Sequence, residues 1–253
     1  MSDAPFRLDG KVALVTGAST GLGQAIAVGL ARAGADVAGV GRSEVADTEA
    51  AITGSGRRFH AIHADLGGRP DHAGIVRAAV TALGRVDILV NNAGIIRRND
   101  ALEFTEKDWD EVMDLNLRSV FFLTQAAAQQ MLAQGHGGKI INIASMLSFQ
   151  GGIRIASYTA SKSGLAGLTR LLACEWAARG INVNAIAPGY FVTSNTAALR
   201  ADASRNRDIV ARIPAGRWGQ PSELAGAAVF LASGASDYVH GAILPVDGGW
   251  LAR

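Results

Sequence analysis

Short runs rich in β-branched residues alternate along this chain with longer stretches whose apolar residues recur every three to four positions. Val12–Thr16, Val37–Val40, Phe59–Ile62, Val86–Val90, Ile140–Ile143, Ile181–Ile186 and Ala242–Val246 read as strands. Leu22–Ala33, Trp109–Ala133, Tyr158–Ala178 and Glu223–Ala232 read as helices, the first stopped by Gly34. The strand runs are apolar throughout rather than alternating, as in a parallel sheet covered on both faces. Parallel strands require crossovers, and these are right-handed, so the alternation predicts an α/β class: one doubly wound, seven-stranded parallel sheet with helices on both faces. Residues 1–253 are read as a single domain. The one long irregular stretch, 188–221, should hold a short helix or two, and its length marks it as a candidate substrate lid.

Composition narrows the class. With 49% hydrophobic and 18% charged residues, and no long polar tract, the chain is neither disordered nor collagen-like. Its single cysteine, Cys174, excludes an intrachain disulfide and any multi-cysteine metal cluster; lying in an apolar run, it reads as a packing residue. A net charge of +2 is no footprint for nucleic acid. Met1–Gly10 contains Asp3 and Asp9 and lacks an apolar core, so it does not read as a secretory leader. Val12–Ala31 is uncharged over a membrane-spanning length, but glycines and hydroxyls interrupt it; a strand, a turn and a helix explain it better. No membrane association is expected, and the setting is read as cytoplasmic.

Candidate chemistry begins directly after the first strand, at Thr16-Gly17-Ala18-Ser19-Thr20-Gly21-Leu22-Gly23. Its glycines allow a tight turn that brings backbone N–H groups up to a pyrophosphate at the positive end of the next helix. The spacing, Gly-x-x-x-Gly-x-Gly, differs from the Gly-x-Gly-x-x-Gly of most dinucleotide folds. The second strand ends Val40-Gly41-Arg42-Ser43 without an acid for a ribose 2′-hydroxyl, and Arg42 suits a 2′-phosphate instead, which leans the cofactor towards NADP over NAD. Asp65, after the third strand, could accept from an adenine amino group. Asn91-Asn92-Ala93-Gly94 closes the fourth strand at the carboxyl edge, where such sheets bind ligands.

A proton-transfer group is visible further on. Tyr158 and Lys162 stand four apart on one helical face, and a nearby ammonium favours the phenolate. Ser145 follows the fifth strand and offers a hydroxyl to a substrate oxygen. Asn116, among apolar helical neighbours, asks for a partner or a bound water.

Together these stretches, with Asp65-Leu66, Pro188-Gly189, Thr193 and Asp247-Gly248-Gly249, resemble the short-chain dehydrogenase/reductase family over nearly the whole chain. The resemblance implies a Rossmann fold and reversible hydride transfer with NAD or NADP. It implies Tyr158 as general acid/base, Lys162 on the nicotinamide ribose and lowering the tyrosine pKa, Ser145 on the substrate carbonyl and Asn116 on a relay water. The cofactor-binding positions so implied are Gly17, Ser19, Thr20, Gly21, Leu22, Gly23, Arg42, Asp65, Leu66, Asn92, Ala93, Gly94, Tyr158, Lys162, Pro188, Gly189, Phe191 and Thr193. Phe191 replaces the usual isoleucine, in a contact made through backbone. Similar enzymes are homotetramers assembled through the catalytic helices and the C-terminal region.

Finer stretches around Ile95–Asp100, Ala144–Arg154, Ile213–Trp218 and Asp247–Arg253 resemble a sugar-acid branch of the family from bacterial uronate breakdown, usually linked to NAD. A sugar acid needs cations and hydrogen-bonding groups near Ser145 and Tyr158. Arg154, with Arg97 or Arg98, is expected to bind its carboxylate, Gln150 adding an amide. Two other readings compete: a 3-oxoacyl-[acyl-carrier-protein] reductase, and a non-catalytic nucleotide-binding regulatory subunit. His60 and His63, three apart on a strand, face opposite sides and suit no shared metal, so no metal site is expected. His72, His136 and His240 are expected to face solvent.

Overall fold

In the computed structural model, which describes residues 5–253, the first four residues of the Met1–Gly10 stretch lie outside the described part. Elements follow in the order β1 (Val12–Thr16), α1 (Gly21–Arg32), β2 (Asp36–Gly41), α2 (Ala46–Thr53), β3 (Phe59–His63), α3 (His72–Leu83) and β4 (Ile88–Asn91). Then come α4 (Glu106–Met113), α5 (Val120–Ala133), β5 (Gly138–Ile143), α6 (Ala156–Trp176), β6 (Ile181–Pro188), α7 (Ala197–Ala201), α8 (Ala203–Arg212), α9 (Ser222–Ala232) and β7 (Ile243–Val246). The strands form one seven-stranded sheet in the order β3-β2-β1-β4-β5-β6-β7, with every pairing parallel. Chain order reverses between β1 and β4, and that reversal opens a crevice at the carboxyl ends of both strands.

Alternation along β1 divides the core. Ala13 and Val15 join Ile26 and Leu30 of α1 and Leu224 and Ala228 of α9 on one face. Val12 and Leu14 join Ile75 of α3, Leu123 of α5 and Leu172 of α6 on the other. Burying each such aliphatic side chain contributes about 1.5–3 kcal/mol, so Leu14→Ala, at a fully buried position, costs roughly 2–5 kcal/mol. The uncharged stretch Val12–Ala31 resolves into β1, a turn and most of α1. Among the described residues no helix is long and apolar enough to cross a membrane.

Several expectations are corrected. The single helix read over Trp109–Ala133 is two helices joined by a π-helical turn at Asp114–Ser119. The first begins earlier because the Thr105 hydroxyl caps it, accepting from the Asp108 amide at 3.1 Å. The outer strands β3 and β7 are only partly buried, since each lies at a sheet edge. Cys174 does not pack inside; it is exposed on α6. His72 and His240 do not simply face water. His72 Nε2 lies 2.9 Å from Ser119 Oγ, and His240 Nε2 lies 3.2 Å from Asn182 Nδ2.

Candidate active site

The glycine turn is clamped from behind. Thr16 Oγ1 accepts from the Asn92 and Ala93 amides at 2.9 and 3.0 Å, and Asn92 Nδ2 donates to the Thr16 and Gly17 carbonyls at 2.9 and 3.2 Å. Gly17 adopts φ +65°, a left-handed conformation suited to glycine. A Cβ on Gly23 would run into the Gly17 carbonyl oxygen and Asn92 Nδ2, so α1 can start this close to β1 only with glycine there. Thr20, preceding α1, makes no side-chain cap, and the first turn carries no acid. The helix therefore presents uncapped N–H groups and its positive end to the crevice, which fits a pyrophosphate.

A cleft of about 910 Å³ runs from this turn across the sheet edge. Gly17, Ser19, Thr20, Gly21, Leu22, Gly23, Arg42, Asp65, Leu66, Asn92, Ala93, Gly94, Pro188, Gly189, Phe191 and Thr193 all line it. At its outer end Arg42 Nη1 stands 3.9 Å from Asp65 Oδ2, both side chains being well exposed. Asp65 also accepts from the Gly67 amide at 3.0 Å. Phe191 is buried, and its carbonyl accepts from Thr196 Oγ1 at 2.7 Å, which shapes the start of segment 188–221.

Ser145, Tyr158 and Lys162 line the same cleft further in. Ser145 begins a short 3-10 turn after β5, its hydroxyl accepting from the Leu147 amide at 3.2 Å. Lys162 is buried; its ammonium donates to the Ile143 carbonyl at 2.6 Å and lies 5.6 Å from the Tyr158 ring centroid. Burial pulls the Lys162 pKa down to about 8, so it stays charged at neutral pH. Burial also pushes the Tyr158 phenol above its ordinary value, outweighing the downward pull of the Ser145 hydroxyl and the Arg98 charge. Two positive charges thus stand near the phenol: Lys162, expected from the sequence, and Arg98, expected from it only as a carboxylate ligand.

Asn116 finds its partner in backbone. Its Oδ1 accepts from the Ile95 amide and its Nδ2 donates to the Ile95 carbonyl, both at 2.9 Å. The π-helical turn aims this buried amide at the loop after β4, and the side chain lies behind the cleft wall rather than lining it.

The expected carboxylate site is divided. Arg98 and Gln150 line the cleft, whereas Arg97 and Arg154 are not brought to it. Arg97 turns to α4, where its guanidinium pairs with Glu111 at 2.7 Å and Asp108 at 3.6 Å. Arg154 is exposed with φ +62°, and its carbonyl accepts from the Asn99 amide at 3.1 Å. Sequence reasoning missed Arg205 and Arg212 of α8 and Trp250 near the C-terminus, all of which line the cleft. The signal was present: Arg205, Asp208, Ile209 and Arg212 recur at helical spacing inside the stretch read as irregular.

A family model for short chain dehydrogenases matches residues 11–204, and the chain belongs to that family. It is 64% identical to 2-dehydro-3-deoxy-D-gluconate 5-dehydrogenase of Dickeya dadantii, over 98% of both chains. A solved structure from Agrobacterium tumefaciens with bound NADP is 62% identical, covering 99% of this chain and 100% of that one, with a TM-score of 0.93. Gluconate 5-dehydrogenase of Burkholderia cenocepacia, solved with NADP and tartrate, is 43% identical over 98% of both chains, with a TM-score of 0.93.

Proposed function

We propose that this protein is an NAD(P)-dependent dehydrogenase of a small hydroxy or keto sugar acid, acting as a 2-dehydro-3-deoxy-D-gluconate 5-dehydrogenase or 2-deoxy-D-gluconate 3-dehydrogenase. The observation that carries this reading is one cleft holding the glycine turn at one end, Ser145, Tyr158 and Lys162 in the middle, and arginines at the far side. The names and bound NADP of its relatives support it.

The Gly17–Gly23 turn and the start of α1 would hold the pyrophosphate, Asp65 and Leu66 the adenine, and Arg42 a 2′-phosphate. A nicotinamide cofactor, when bound, supplies or accepts the hydride. Lys162 would hold the ribose hydroxyls with its ammonium. Ser145 would donate to the substrate oxygen and keep it against Tyr158. In reduction the Tyr158 phenol would give its proton to the substrate oxygen; in oxidation its phenolate, once the phenol has lost its proton, would take the proton from the substrate hydroxyl. Asn116 fixes the Ile95 backbone beside this group and would position a water for proton relay.

An acyl-carrier substrate would want an apolar groove, which Arg98, Arg205 and Arg212 oppose, and a non-catalytic role would not need the full set of Asn116, Ser145, Tyr158 and Lys162. Closure of segment 188–221 over bound substrate, homotetramer assembly and a cytoplasmic setting complete the reading. The exposed Trp109, Phe122 and Leu171 on α4, α5 and α6 support assembly through those helices. The test is NAD(P)H absorbance with sugar keto acids and, in parallel, an acyl thioester. Turnover confined to the sugar acids is expected, and turnover of the thioester alone would overturn the reading.

A further inference from the structure

We infer that Arg212, carried into the cleft by α8 and held over the Trp250 ring, is the residue that binds the substrate carboxylate. The inference rests on the sugar-acid reading above and deepens it. Helix α8 is capped by Asp202, whose carboxylate accepts from the Ser204 and Arg205 amides at 3.0 Å. Its inner face is set by Ile209, which with Ile213 just beyond the helix packs against Met146, Trp218 and Trp250 in a small cluster separate from the main core. Trp218 pins the helix by donating from Nε1 to Asn206 Oδ1 at 2.7 Å. Burying Ile209 aims Arg212, three positions on, towards the cleft.

There the guanidinium stacks over the Trp250 indole, its carbon 4.0 Å from the ring centroid. Gln150 Oε1 accepts from Trp250 Nε1 at 3.3 Å and lies 3.5 Å from Arg212 Nη2. The contact holds a five-donor fork in the cleft while using few of its donors, and such a fork matches a carboxylate. Contrast within the chain sharpens the point. Arg97 and Arg217 are each satisfied by a glutamate, at 2.7 and 2.6 Å, whereas among the described residues no carboxylate pairs with Arg212. Of the other cleft arginines on this side, Arg98 stands near enough to Tyr158 for its charge to bear on the phenol, and Arg205 lacks the aromatic stack that holds Arg212. Met146, in the cluster under α8, directly follows Ser145, so the same packing sets the span between hydroxyl and guanidinium.

The experiment is calorimetric titration of the NADPH-loaded protein, in which no oxidation can occur, with D-gluconate and with the uncharged D-glucitol. Arg212→Ala and Arg212→Gln are expected to weaken gluconate binding by roughly 10- to 100-fold, the loss of a charged hydrogen bond, and to leave glucitol binding within about twofold. Arg212→Lys should recover part of the loss, and Arg207→Ala, on the same helix but away from the cleft, should change neither ligand. Equal loss for both ligands, unchanged gluconate binding, or no preference of the wild type for gluconate would each overturn the assignment. Failure of the sugar-acid reading would look different: the wild type would bind gluconate through Arg212 yet turn over no sugar acid.

Discussion

Where the Gly17–Gly23 turn meets β4, the polar groups are committed to one another: Asn92 and Ala93 donate four hydrogen bonds to Thr16 and Gly17 that tie the ends of two central strands. Across the cleft, Arg98, Arg205 and Arg212 line the wall from a loop and a helix that pack outside the two main core clusters. The first region is built before its ligand arrives, as a site for an invariant pyrophosphate can be. The second rests on its own small aromatic and aliphatic cluster, apart from the clusters that hold the sheet. One fold thus builds the two ends of its cleft on separate cores.

That contrast can be broken most forcefully at the tyrosine between them. Tyr158→Phe is expected to cut turnover by about a thousandfold, the contribution of a positioned acid/base, and to leave NADPH affinity unchanged by fluorescence titration. A parallel fall in affinity would mean that the two ends are not independent. Next in size is Lys162. Its folded-state pKa of about 8 lies below the 10.5 of a free lysine, so the unfolded chain binds more protons between those values. Wild-type stability should then rise as pH climbs from about 8 to 10.5, with the full burial cost present below that window. Lys162→Met should make the cofactor-free protein more stable at pH 7 by roughly 2 kcal/mol, once the lost bond to the Ile143 carbonyl is set against it. Urea melts should show that gain fading towards pH 10.5, while activity is lost at every pH.

Smaller effects sharpen each end. Arg42→Ala should weaken NADPH by about five- to tenfold and leave NADH alone, an effect reduced by the exposure of the side chain; competition titration of the two nucleotides measures it. Arg154→Ala should leave the KM for a sugar acid within about twofold, because the side chain lies off the cleft. Arg154→Gly should raise Tm by roughly 1–4 °C, relieving a left-handed backbone that costs a bulky residue about 1 kcal/mol.

The cofactor end was legible in the sequence because its chemistry is local: a glycine turn after a strand, and a tyrosine and lysine one helical turn apart, need little knowledge of distant packing. The substrate end was not. Arg97, Arg98 and Arg154 look alike in a string of letters, and only the packing of α4 turns Arg97 to Glu111. Arg212 lay in a stretch read only as a candidate lid with a short helix or two, and its partner Trp250 is 38 positions further along the chain. The parallel, seven-stranded sheet followed from strand composition, whereas the break between α4 and α5 did not, because propensity barely distinguishes a π-helical turn from an ordinary one.

That turn, Asp114–Ser119, winds one residue more into its coil than a regular helix would. Deleting a single amino acid there would let the two helices run on as one straight rod and would swing everything on one side of the cut by about 100°. Asn116 would then point away from Ile95, and the loop after β4 would lose its anchor. A shorter, more regular variant would gain locally and fail as a catalyst, which makes the residue count at this spot as much a part of the enzyme's design as the identity of any side chain.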